Sequence, residues 1–151
     1  MKKIMNVEND HITVLGGFEQ RKALQRPLLG SRIPAGFPSP AQDYIEDRLD
    51  LNEFLVAHPS ATFFVRVEGF SMINAGIFPG DILIVDRSLE PAHKKIVIAI
   101  VDGELTVKRL WQEKQKWYLM PENPEFPLIE ITKNMEFMVW GVVVYALHKT
   151  E

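Results

Sequence analysis

The chain has 151 residues, 46% of them hydrophobic and 25% charged, the balance of one soluble globular domain with a sizeable core. A net charge of −3 argues against a protein that works mainly by neutralising nucleic-acid phosphates. The absence of cysteine excludes disulfides, thiolate metal sites and cysteine nucleophiles.

No run approaches the roughly 18 apolar residues that a membrane-spanning helix needs. Lys2 and Lys3 open the chain, but Asn6, Glu8, Asn9, Asp10 and His11 interrupt any signal-peptide core, so a cytoplasmic location is the expectation.

Residues 1–35 read as an N-terminal arm. Ile12 to Leu15 suits one short strand, whereas Phe18 to Leu29 shows no clean period, and Gly16-Gly17, Pro27, Gly30 and Pro34 punctuate the stretch. Six basic side chains against three acidic ones give the arm a net charge of +3, which leaves −6 for residues 36–151. A basic arm is drawn to an acidic body, although exposed pairs are individually weak.

Pro34-Ala35-Gly36-Phe37-Pro38-Ser39-Pro40 predicts an extended, exposed connector. Ala35-Gly36 is its least hindered peptide bond, and extended segments of small residues are what proteases bind; a plain linker explains the same composition. Ala41 to Ala57 predicts one or two short amphipathic helices from Tyr44, Ile45, Leu49, Leu51, Phe54 and Leu55. Asp50-Leu51-Asn52-Glu53 has capping-box spacing, so a helix is expected to start at Asp50 and to end before His58-Pro59.

From Thr62 the chain reads as at least six strands: Thr62–Glu68, Ile82–Asp86, Lys95–Val101, Glu104–Trp111, Lys116–Met120 and Phe137–Leu147. Asp102-Gly103 is a two-residue hairpin signal, and Pro79-Gly80 carries the central residues of a type II turn. The fold class that follows is mostly β, compact and antiparallel, with short helices and the arm at its start.

Two residues stand out for chemistry. Ser71 lies where a β-run ends at Gly69 and a short helical turn begins, in Gly69-Phe70-Ser71-Met72-Ile73. The first amides of a helix lack partners, so a serine there suits either a nucleophile beside an oxyanion site or an ordinary N-cap. Lys108 lies in Glu104–Trp111, where alternation groups it with Thr106 and Leu110 on one face. A strand lysine is usually solvated. In an apolar cleft, desolvation disfavours the ammonium, and bringing the amine near neutrality takes about 4 kcal/mol of differential interaction. A neutral lysine can then take the proton of a serine hydroxyl.

The four histidines are scattered, and no metal cluster, phosphate-binding glycine loop or dinucleotide fingerprint occurs, so neither a cofactor nor a metal is expected.

Gly69-Phe70-Ser71-Met72, Gly76-Ile77, Gly80-Asp81, Asp102-Gly103-Glu104 and Thr106-Val107-Lys108-Arg109-Leu110 together resemble the LexA/UmuD family of self-cleaving serine peptidases. Ala35 to Ala41, Leu51-Asn52 and His58 to Thr62 narrow the resemblance to UmuD-like proteins, over about residues 35–147. It implies a LexA/signal-peptidase-like β domain spanning 36–151 after an arm of 1–35, with Ser71 as nucleophile, Lys108 as general base and Ala35-Gly36 as the bond cut. It also implies a homodimer, stimulation by RecA filaments on single-stranded DNA, and a place in the SOS response as subunit of a UmuC-like error-prone DNA polymerase.

Asn74 stands where UmuD-like sequences often carry Asp, and residues 1–34 match poorly. The lack of a helix-turn-helix segment before the bond argues against a repressor and against direct sequence-specific DNA binding. Two readings compete: a non-enzymatic module that regulates a polymerase in its full-length form, and a signal peptidase, which the missing membrane anchor disfavours.

Overall fold

A computed structural model describes residues 12–17, 23–29, 33, 35–38 and 45–151. The chain divides into two compact units, Met1–Phe18 with Ser60–Glu151, and Glu19–Pro59.

The larger unit is one antiparallel sheet. Its strands are β1 (Ile12–Gly17), β4 (Thr62–Val67), β5 (Ile82–Asp86), β6 (Ile96–Val101), β7 (Glu104–Glu113), β8 (Lys116–Met120), β9 (Ile129–Glu130) and β10 (Phe137–Leu147). They lie in the order β1-β4-β5-β10-β6-β7-β8-β9, so the expected mostly β, antiparallel class holds. All six expected strands form, within two residues at either end.

β10 joins the two halves of the sheet. Its first half pairs with β6 (Phe137 opposite Val101) and its second with β5 (Leu147 opposite Ile82). The register slips between Val139 and Gly141 and again between Val143 and Tyr145, the irregularities by which one long strand bends to serve two neighbours. A Cβ on Gly141 would sit 2.5 Å from Val85 Cγ1, so only glycine lets β10 approach β5 this closely.

Alternation divides the core into two clusters. Val97 and Ala99 pack with Leu110, Leu119 and Val142, while Ile98 between them packs with Val65, Val67, Met72, Ile77, Leu83, Val85 and Val107. Both faces of β6 are therefore dry, which is why its sequence reads as a continuous apolar run. Each Val, Leu, Ile or Met side chain among them contributes about 1.5–3 kcal/mol on burial.

Turn chemistry follows the sequence in two places. Asp102 and Gly103 both have positive φ (49° and 85°) between β6 and β7, and Asp81 N donates to Phe78 O across Pro79-Gly80, where Gly80 has φ 90°.

In the smaller unit, β2 (Gln25–Leu29) pairs antiparallel with β3 (Ile45–Asp50), and a short helix α1 (Leu51–Leu55) follows. The expectation of helix from Ala41 to Ala57 is thus corrected. Residues 45–50 are strand, because the backbone of β2 supplies a ladder that the local pattern does not show; residues 41–44 fall outside the described residues. The expected cap is present: Asp50 Oδ1 accepts from Asn52 N at 2.9 Å. Strand β2 lies in Phe18 to Leu29, where no strand was legible. Ala35–Phe37 form an exposed bend where a straight connector was expected, and no atom comes within 4 Å of a Cβ placed on Gly36.

Candidate active site

β4 stops at Val67 and Gly69 turns the chain with φ 99°, a value its neighbours would adopt only under strain. Ser71 and Met72 then enter the core almost completely, at 1% exposure each, before a 3₁₀ turn at Ile73–Ala75. The N-cap of that turn is Met72 and makes no side-chain cap bond, so the N-cap reading of Ser71 is set aside. The Ser71 hydroxyl faces Lys108 instead.

β7 delivers the amine. Period-2 alternation puts Thr106 and Lys108 on one face, and both are buried, Lys108 to 5% exposure. Lys108 Nζ lies 3.1 Å from Ser71 Oγ, 2.8 Å from Thr106 Oγ1 and 3.1 Å from the Val107 carbonyl oxygen, donating to each. All three acceptors are neutral oxygens. A neutral amine has two N–H groups and one lone pair. Thr106 and Val107 can take the two hydrogens, and the lone pair is then free to accept the proton of the Ser71 hydroxyl.

A second segment holds the nucleophile's turn in place. Glu122 N donates to Ser71 O at 2.8 Å and Asn74 N donates to Glu122 O at 2.9 Å, so Pro121–Asn123 runs beside the turn like a short added strand. The buried Asn123 donates through Nδ2 to Phe70 O at 3.0 Å and accepts from Glu125 N through Oδ1. Arg109, next to Lys108, forms an ion pair with Glu122 and donates to Lys94 O at 2.7 Å. The turn after the 3₁₀ segment is anchored too: buried Asp81 accepts from Phe78 N at 2.9 Å, and its Oδ1 meets His148 Nδ1 at 2.7 Å.

Of the four residues singled out in the sequence, Ser71 and Lys108 meet across 37 positions of chain. Ala35 and Gly36 belong to the smaller unit, in its exposed bend. Thr106, Glu122 and Asn123 were missed as site residues. Thr106 had a signal, the i−2 spacing from Lys108 on one strand; Glu122 and Asn123 had none, because loop-to-loop pairing leaves no period. Among the described residues no group of three or more His, Asp or Glu could hold a metal ion, and no helix is long and apolar enough to cross a membrane.

Residues 27–144 match the model of the family described as Peptidase S24-like. The chain is 48% identical over 124 residues to Protein SamA of Salmonella typhimurium, covering 82% of this chain and 86% of that protein. It is 48% identical over 122 residues to Protein MucA of Escherichia coli (80% and 83%). It is also 38% identical over 135 residues to LexA repressor 1 of Pseudomonas syringae pv. tomato (88% and 66%). A match over most of the chain places it with serine peptidases of this type. The chain belongs to the peptidase S24-like family, among its UmuD-like members.

Proposed function

We propose that the protein cleaves itself between Ala35 and Gly36 with a Ser71–Lys108 dyad, as part of an SOS response. The observation that supports this most directly is the 3.1 Å approach of Lys108 Nζ to Ser71 Oγ inside the core. Burial disfavours the ammonium, so the neutral amine is more accessible than it would be in water.

In the reaction, the lone pair of Lys108 Nζ takes the hydroxyl proton as Ser71 Oγ bonds to the Ala35 carbonyl carbon. Backbone amides of the Gly69–Met72 turn stabilise the oxyanion. Collapse breaks the bond to the Gly36 nitrogen, which leaves with the proton from Lys108. A water, deprotonated by the same amine, then releases Ala35 from its ester with Ser71. Tethering the bond to its own catalytic domain replaces substrate affinity with effective concentration.

The processed product, residues 36–151, acts as a homodimeric subunit of a UmuC-like error-prone polymerase in the cytoplasm, and RecA filaments on single-stranded DNA stimulate the cut. Incubation with such filaments and ATP, followed by denaturing mass spectrometry, gives fragments of residues 1–35 and 36–151. Ser71→Ala and Lys108→Ala give neither. Cleavage persisting in the Ser71→Ala protein sinks the dyad.

A further inference from the structure

The bond assigned to self-cleavage lies in residues 30–44, the connection between two paired strands. Residues 1–35 carry β1 and β2, and residues 36–151 carry their partners β4 and β3. The bond between Ala35 and Gly36 lies in neither ladder, so cutting it removes a covalent tether without itself breaking a backbone hydrogen bond of these pairings.

β1 is the outermost strand of the large sheet and covers the open side of β4, with Ile12 opposite Val67 and Gly17 opposite Phe63. The pairing is adapted to its place: the register slips between Val14 and Gly16, and Gly16 takes φ 127° there without a Cβ to oppose it. Without β1, the six backbone units of β4 become an open edge, the kind of surface on which another strand adds. In the smaller unit, Gln25 to Leu29 face Asp50 to Ile45, and Leu24 N donates to Asp50 Oδ2 at 3.3 Å.

We propose that the cut arm stays on the body as a two-strand peptide ligand, so that scission and release are separate steps and the β4 edge is bared only when the arm is displaced. The timing of the cut rests on the self-cleavage reading above; the retention does not. A lone two-stranded pairing is marginal in water. Here two pairings are joined through residues 18–24, so when one opens the other holds the loose strand at an effective concentration of about a millimolar. Charge adds to this, since the arm carries +3 and the body −6. The occupant of the edge is thus the arm's own residues 12–17.

The test uses the full chain carrying Ser71→Ala and a site-specific protease sequence inserted between Ala35 and Gly36. After the external cut, denaturing mass spectrometry reports two pieces, and native mass spectrometry at micromolar protein reports one species holding both. Adding Val14→Pro and Leu28→Pro, which interrupt the two ladders, weakens retention by about tenfold or more. Free arm from the parent chain at micromolar concentration overturns the proposal, as does equal retention by the proline variant. A body that sheds its arm and pairs through β4 with a second copy overturns it as well. The protein with Ser71 intact runs beside it: if it fails to cut itself while the externally cut chain keeps its arm, the self-cleavage reading falls and arm retention stands.

Discussion

The oxygens of Ser71, Thr106 and Val107 near Lys108 Nζ differ in what they can do. The Val107 carbonyl can only accept, and the Thr106 hydroxyl, held at 2.8 Å, serves best as an acceptor too. In the proposed reaction the amine becomes a buried cation when it takes the Ser71 proton, and the bond to Thr106 then strengthens. Thr106 thereby stabilises the charged state more than the neutral one. Thr106→Val is expected to slow self-cleavage by about tenfold to a hundredfold, the equivalent of about 1–3 kcal/mol for a lost bond to a buried charge. A gel time course measures it, with circular dichroism to check the fold; an unchanged rate removes Thr106 from the mechanism. The pH dependence has a definite sign. The proposed base acts only when unprotonated, so the rate of self-cleavage is expected to rise with pH. Lys108→Ala removes both the reaction and that rise.

Strands and hairpins show where local rules decide and where they do not. Ile82–Asp86 follows from a short continuous apolar run, and the Asp102-Gly103 hairpin from residues that tolerate positive φ. The next hairpin breaks that rule: Lys114 and Gln115 join β7 to β8 with φ of 47° and 66°, values that cost ordinary side chains energy. Replacing the pair by Asn-Gly is expected to stabilise the protein by about 0.5–2 kcal/mol, read as a higher midpoint in urea. Gly141 is the opposite case. An added methyl meets Val85 at 2.5 Å and Arg87 Cγ at 3.3 Å, inside the packed sheet. Gly141→Ala is expected to cost about 1–3 kcal/mol, through strain between β10 and β5. A midpoint equal to the parent's would show that β10 can shift freely. The strand at Ile45–Asp50 was read as helix because Ile45, Leu49 and the residues after them recur at helical spacing. Its partner β2 contains Pro27, a residue that argues against a strand unless it sits at an edge, and in a two-stranded ladder every position is an edge.

Across the molecule, charge and packing follow different boundaries. Charge changes sign near residue 35, whereas the compact units divide after Phe18 and after Pro59. The strand β1 belongs to the large sheet even though its composition is that of the arm. The proposed scission at Ala35-Gly36 would leave a product with net side-chain charge near −6 against −3 for the whole chain. After denaturation, isoelectric focusing is expected to show the 36–151 product at a lower pI than the uncut chain. A product focusing at the same position would mean that the bond cut is not this one.

The sequence alone determined the β class, six of the strands, two turns and the cap at Asp50, because these depend on alternation, positive φ and side chains one to three positions apart. It also marked Ser71 and Lys108, through motif resemblance. Only the tertiary structure decided that the serine faces the lysine and does not cap the turn, since 37 residues separate them and no local rule spans that distance. It alone brought Glu122 and Asn123 to the site and paired Ile12–Gly17 with β4 and Gln25–Leu29 with β3. Backbone pairing between distant segments is set by which edges remain open once the core has packed, and neither composition nor period records that.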